Sequence, residues 1–144
     1  MKLIPFIIPL MAVVTRADQS TVTYNSTYDN AVGFIHDVKC GSKLEKNYTL
    51  FGQLPTFPDI CGSSIINPNT GACGSCWRLS DATGDKKVNV IVINDAQSGG
   101  ASQFQISRST FKKLTGQEPV NGNQGLFFTA EPVDEAECKL NPVS

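Results

Sequence analysis

The chain has 144 residues, 12 basic and 13 acidic side chains, a net charge of −1 and 40% hydrophobic residues. That length fits one domain, and Lys86-Lys87 and Lys112-Lys113 are isolated pairs rather than a basic stripe for nucleic acid. No apolar run is long enough to cross a bilayer, so neither nucleic acid nor a membrane is an expected partner.

From the N-terminus, Lys2 precedes an uncharged apolar run over 3–14, and Thr15 and Ala17 are the small residues before a cut. Pro5 and Pro9 interrupt the run and Asp18 opens a polar stretch, which argues against a buried helix or strand. Residues 1–17 therefore read as a secretory signal peptide and 18–144 as the mature single domain. Without Lys2 and Arg16, ten basic and thirteen acidic residues remain, a net charge of −3. The expected location is extracellular. Asn25-Ser26-Thr27 and Asn47-Tyr48-Thr49 are sequons, so Asn25 and Asn47 are glycosylation candidates.

Ser20–Tyr24 is rich in β-formers and predicts a first strand, and Ala31–Val38 predicts a second. His36 falls in that second segment, with no metal-ligand pattern around it and no assigned role. Gly52–Asp59 contains two prolines and reads as loop or edge. Gly62–Gly74 is dense in turn formers and reads as an irregular surface loop.

Five cysteines in an exported chain of this length read first as a disulfide framework with one left over. Cys73-Gly74-Ser75-Cys76 lacks a redox motif's βαβ setting, because Trp77-Arg78-Leu79 reads as strand. Cys40, Cys61 and Cys138 are scattered singly, so zinc has no second close pair. No metal or cofactor is expected. Spacing does not choose among the three connectivities that four cysteines allow.

Cys76–Ser80 and Val88–Ile93 predict strands joined by a turn at Asp81–Asp85. Beyond Val90 the second strand is apolar on both faces, which places it at the centre of a closed barrel. Trp77, beside a disulfide cysteine, reads as core packing. Ser107 caps a helix in which Ile106 and Phe111 form the staple, Phe111 and Leu114 share one face, and Gly116 ends it. Gly125–Val133 is the last strand. Many short strands and one short helix predict a mostly-β barrel.

Taken in order, these residues resemble the cerato-platanin family of small secreted fungal proteins. The resemblance is carried by Ser20 to Tyr24 with Tyr28-Asp29, Cys40, the YTLFGQLPTFP run from Tyr48 to Pro58, and CGSCW from Cys73 to Trp77. Asn94-Asp95 with Gly99-Gly100, Phe104-Gln105-Ile106 and the Thr110–Leu114 run complete it. It implies a six-stranded double-psi β-barrel stapled by disulfides Cys40–Cys73 and Cys76–Cys138, with Cys61 unpaired. It also implies similarity to the first domain of expansins and to family 45 endoglucanases.

The function implied is a wall-associated protein that binds chitin or N-acetylglucosamine oligosaccharides in a shallow groove and elicits plant defence, without hydrolase activity. The alternatives are expansin-like wall loosening with weak hydrolysis, and surface-active self-assembly. A host receptor and a second copy of the chain are further candidate partners. The chain departs from the family pattern in having no aromatic residue in 62–74, Asn94 where valine is usual, and a longer loop after Asp95.

By resemblance Asp95 occupies the groove aspartate, equivalent to the general acid of the related hydrolases. Hydrolysis needs a second carboxylate about 5–9.5 Å away. Asp18 and Asp29 are the N-terminal candidates, and Asn25 stands where several relatives carry an acid. Glu131, Asp134, Glu135 and Glu137 read as a solvated rim. Binding is thus expected rather than catalysis, with no catalytic residue assigned. Tyr24, Asn94, Asp95, Gln103 and Gln105 supply the aromatic face, amides and carboxylate of a sugar site. Three fates are open to Cys61: a free thiol, a dimer cross-link, or a buried apolar residue.

Overall fold

A computed structural model describes Pro5 and residues 18–66, 71–96, 103–119 and 126–140. The anticipated signal segment 1–17, apart from exposed Pro5, lies outside them, as do Gly99-Gly100, Gly125 and part of the 62–74 loop. Six strands, β1 (Asp18–Tyr24), β2 (Ile60–Ser63), β3 (Cys76–Ser80), β4 (Lys87–Asn94), β5 (Gln103–Ile106) and β6 (Leu126–Val133), close a barrel in the order β1-β5-β2-β4-β3-β6. β1 with β5 and β2 with β4 are parallel, and the other neighbours are antiparallel. Closure leaves no open edge to template aggregation.

Two apolar clusters account for the burial pattern. Strand alternation sends Val22, Leu79, Val90, Val92, Phe104, Ile106 and Phe128 into the barrel. Ile60, Ile91 and Ile93 point outward but are covered by Tyr28, Ile35, Leu44, Phe51 and Leu54 from the long β1–β2 connection. Val90 to Ile93 are therefore fully buried on both faces, as their sequence implied.

Cys40–Cys73 and Cys76–Cys138 are the observed disulfides, with sequence separations of 33 and 62. Each restricts the unfolded chain by about 4 kcal/mol in the loop-entropy account. Together they pin the outer cluster to the barrel, since Cys40, Cys76 and Cys138 are all buried in it.

The β1–β2 connection holds α1 (Gly41–Leu44) and three-ten turns at Ser26–Asp29, Ile35–Asp37 and Phe51–Gln53. Ala31–Val38 is therefore not a strand: Phe34 makes a single bridge to Leu50. Asp37 and Val38 then donate back to the Phe34 and Ile35 carbonyls. Local bonds satisfy this backbone while Ile35 anchors it, so its β-forming composition finds no ladder to join. His36 lies on the exposed turn, stacked on Phe34 at 5.1 Å and paired with Asp37 at 3.0 Å.

The expected 62–74 loop also needs correction at its start, because Gly62 and Ser63 belong to β2. β2 pairs with β4 on one side and β5 on the other, and that double pairing outweighs the turn-forming composition. β5, only four residues long, is a strand the sequence did not announce.

The helix α2 (Arg108–Thr115) forms as its capping pattern predicts. Ser107 Oγ accepts from Thr110 N at 3.0 Å, and Gly116 closes the C-terminus at φ 73°, a left-handed conformation glycine adopts without strain. Thr110, Phe111 and Leu114 form its buried face. Trp77 packs towards Phe104 with ring centroids 5.6 Å apart, and its indole N–H donates to Ser75 Oγ at 3.0 Å.

Candidate functional site

The site is built on the outer face of the barrel where strand pairing lines up polar residues. Thr23 pairs with Gln105 and Gln105 with Gly62 in one row across β1, β5 and β2, and a register shift between Cys61 and Gly62 brings Asn94 of β4 opposite Gly62. Asp95 follows directly at the end of β4. A second row runs alongside, with Thr21 paired to Gln103. Ser64 continues that row, its Oγ accepting from Gln103 N at 2.9 Å and its N–H donating to Gln103 O at 3.1 Å. Gln103 Nε2 donates to Thr23 Oγ1 at 3.4 Å, which ties the two rows together.

This arrangement gathers Gln103, Gln105, Asn94 and Asp95 but not Tyr24. Tyr24 pairs with Ile106 and shares the Val22 face. Its ring packs edge-on against Phe111, 5.8 Å away at 62°. The reason is the two-residue period of the strand: Tyr24 is one step out of phase with Thr21 and Thr23.

Asn94 is present at the site but already committed. Its Oδ1 accepts from Lys39 N at 3.1 Å and its Nδ2 donates to Tyr28 Oη at 3.4 Å. Tyr28 reaches this point because residue 62 is glycine. A Cβ there would fall 2.5 Å from Tyr28 Oη and 2.8 Å from the Asp95 carbonyl oxygen. Burial pushes the Tyr28 phenol up to about 12; the Asn94 bond works the other way, and Cys61 and Asp95 add to the rise. The phenol therefore stays neutral beside Asp95 at physiological pH.

The carboxylates separate sharply by environment. Asp29 accepts from Arg108 N at 2.7 Å, Ser109 N at 3.0 Å and Ser109 Oγ at 2.7 Å, capping α2 from across the fold. Asp59 accepts from Lys113 Nζ at 2.8 Å and Thr110 Oγ1 at 2.7 Å. On the acidic rim, Arg78 pairs with Glu131 at 3.8 Å and Glu137 at 3.4 Å. The Asp95 carboxylate is half-buried and makes no hydrogen bond or ion pair among the described residues. The side chain of Asp18 lies outside them. Chemically this is a hydrogen-bond acceptor set among amides and hydroxyls. Among the described residues no group of three or more His, Cys, Asp or Glu converges on a metal site.

Cys61 lies in the barrel interior, fully buried against the same cluster as Val92 and Ile106, and burial raises its thiol pKa. The folded chain shows Cys61 as an unpaired thiol buried like an apolar residue, with no sulfur surface exposed for a second chain to reach. Asn25 Oδ1 accepts from Thr27 N at 3.0 Å and caps the first three-ten turn, whereas Asn47 is exposed just after α1.

Sequence reasoning missed the supporting roles of Tyr28, Gly62 and Asp29. The Asn25-x-x-Tyr28-Asp29 spacing was the available signal: an Asn cap opening a short turn that aims Tyr28 inward and Asp29 at α2.

A model of the cerato-platanin family matches residues 20–140, a span that takes in both disulfides and Asp95. The chain belongs to the cerato-platanin family. It is 31% identical to Allergen Asp f 15 of Aspergillus fumigatus over 122 residues, which cover 82% of this chain and 76% of that protein. An Asp f 15 homolog of Arthroderma benhamiae is 27% identical over 103 residues, 68% of this chain and 48% of that one. The crystal structure of cerato-platanin 2 from M. perniciosa superposes with a TM-score of 0.75 at 28% identity, covering 85% of this chain and 100% of its own. The solution structure of the fungal elicitor Cerato-Platanin gives 0.62 at 21% identity, over 82% of this chain and 95% of its own, and so supports the fold. The double-psi barrel expected of a cerato-platanin is the architecture present, including both parallel pairs and both disulfides.

Proposed function

We propose that this protein is a secreted, wall-associated cerato-platanin that binds chitin or N-acetylglucosamine oligomers on the Asp95 face and acts as an elicitor without hydrolysing them. One observation carries the reading. Asp95 makes no hydrogen bond or ion pair among the described residues and follows Asn94 at the end of β4, while Asp29 and Asp59 are tied to α2. A lone acceptor among amides suits the hydroxyl and acetamido groups of a neutral sugar. A hydrolase would need a second free carboxylate at a set separation. The elicitor role draws on a protein of the same fold that carries that description.

Calorimetric titration with N-acetylglucosamine oligomers tests this directly. Saturable binding by the wild type, weakened about tenfold or more in Asp95→Ala, is the expected outcome; one lost charged hydrogen bond is worth about 1.5–3 kcal/mol. Reducing ends should not accumulate during the titration. Undiminished binding by Asp95→Ala, or steady release of reducing ends that Asp95→Asn abolishes, would overturn the reading.

A further inference from the structure

The outer surface of the barrel is divided by chemistry. Over β2, β4 and β3 it is covered by the β1–β2 connection, and beyond that cover it carries the Arg78–Glu131–Glu137 charge network. Over β6, β1 and β5 the described outward residues are Phe127, Thr129, Glu131 and Val133, Thr21 and the buried Thr23, and Gln103 and Gln105. Glu131, paired with Arg78, is the one charge in this set among the described residues.

Phe127 is the anomaly on this surface. It sits directly across from Thr21 in the β1–β6 ladder, on the face opposite buried Phe128, and is 69% exposed. A phenylalanine left in water on a sheet face forgoes the burial that its size normally supplies. Its row continues through Thr21 and Gln103 to Ser64, and the neighbouring row ends at Asn94 and Asp95. From β6 to β4 is four strand steps, about 19 Å around the barrel at the usual inter-strand spacing.

We infer that Phe127 is a stacking platform at the far end of an extended binding face, so that the ligand is a neutral glycan chain lying across β6, β1, β5 and β2. The inference rests on the proposed glycan binding at Asp95 and adds its direction, its length and a second anchor. A pyranose ring presents polarised C–H groups on its flat side, which suit the negative face of an aromatic ring. Its hydroxyls project sideways, towards Thr21, Gln103 and Gln105. The uncharged stretch from Phe127 through Thr21 to Gln103 and Gln105 selects against uronates and sulfated sugars, which would lose hydration there without gaining a partner. Asp95 reinforces that selection by repelling anions at the other end.

The test compares chain lengths on four proteins: wild type, Phe127→Ala, Phe127→Trp and Asp95→Ala, each titrated with the dimer and the hexamer of N-acetylglucosamine. Because Phe127 is exposed, its variants should melt with the wild type, and thermal unfolding verifies this. Phe127→Ala should lose about tenfold in hexamer affinity, the loss of one stacking contact, and leave dimer binding unchanged. Phe127→Trp should restore or exceed the wild type. If Phe127→Ala binds hexamer as the wild type does while Asp95→Ala does not, the extended face is wrong and the Asp95 site stands. If the wild type binds neither oligomer, both readings fall. Sedimentation supplies the remaining outcome: a wild-type dimer that Phe127→Ala dissolves, with glycan binding intact, assigns Phe127 to self-association and overturns the inference.

Discussion

Replacing Asp29 separates a structural carboxylate from a catalytic one. Its two oxygens take the backbone N–H groups of Arg108 and Ser109 and the Ser109 hydroxyl, all within 3.0 Å. These are first-turn donors of α2, which no intrahelical carbonyl can satisfy. Ser107 continues to serve Thr110 N in any variant, so one cap of two is lost. A capping side chain is worth about 0.5–2 kcal/mol, and an anion at a helix N-terminus adds about 0.3–1. Because Arg108 and Ser109 are exposed, water recovers part of this. Asp29→Ala should therefore cost about 2 kcal/mol, a Tm decrease of about 6–10 °C for a domain of this size. Asp29→Asn keeps one oxygen acceptor and should lose about half as much. The assay is thermal unfolding by circular dichroism alongside sugar titration, with glycan binding expected to stay at the wild-type level in both variants. An unchanged Tm for Asp29→Ala would refute the capping assignment. A hydrolytic activity that Asp29→Asn abolishes without loss of stability would make Asp29 a reacting group instead.

Cys61 should resist alkylation in the native protein and react only on unfolding, because it is fully buried and its thiolate disfavoured; rapid native labelling would contradict this. Cys61→Ser places a hydroxyl in the barrel interior and should cost about 1–3 kcal/mol in urea unfolding, more than Cys61→Ala. Gly62→Ala should displace Tyr28 or the Asp95 carbonyl and cost about 1–3 kcal/mol, with weakened sugar binding; a variant matching the wild type in both would show that the contact gives way freely. The Tyr28 phenol holds its proton to about 12 when folded, against about 10 when unfolded. Stability is therefore complete below pH 10 and falls by about 2–3 kcal/mol as pH rises through 12. Tyr28→Phe should flatten that part of the denaturation–pH profile, and an unchanged slope would count against the buried phenol.

Much of the fold was legible because the signals were local. Ser107 and Gly116 bracket α2 with chemistry that acts within one turn. The Val90–Ile93 run could only be a strand covered on both sides. CGSCW together with the collinear motifs from Ser20 to Leu114 carried the resemblance, and through it the pairing of Cys40 with Cys73 and Cys76 with Cys138. Those features needed no knowledge of what lies across the barrel.

What the sequence could not display was everything that depends on distant pairing. β2 and β5 are four residues each and weak in isolation; they are strands because each has two neighbours in a closed ring. Ala31–Val38 has strand composition but no partner ladder, so it folds into turns. The same holds at the site. Asp95 stands out in the sequence, yet only the structure shows that it makes no hydrogen bond or ion pair among the described residues while Asp29 and Asp59 are bound to α2. Tyr24 leaves the polar face because of the phase of β1, and Asn94 becomes scaffold because Tyr28 and Lys39 reach it from the β1–β2 connection. By itself the sequence determined which segments could be helix or strand, since those preferences are set by adjacent residues. Only the tertiary structure decided which side chains share a face, because strand register is fixed by contacts between residues far apart in the chain.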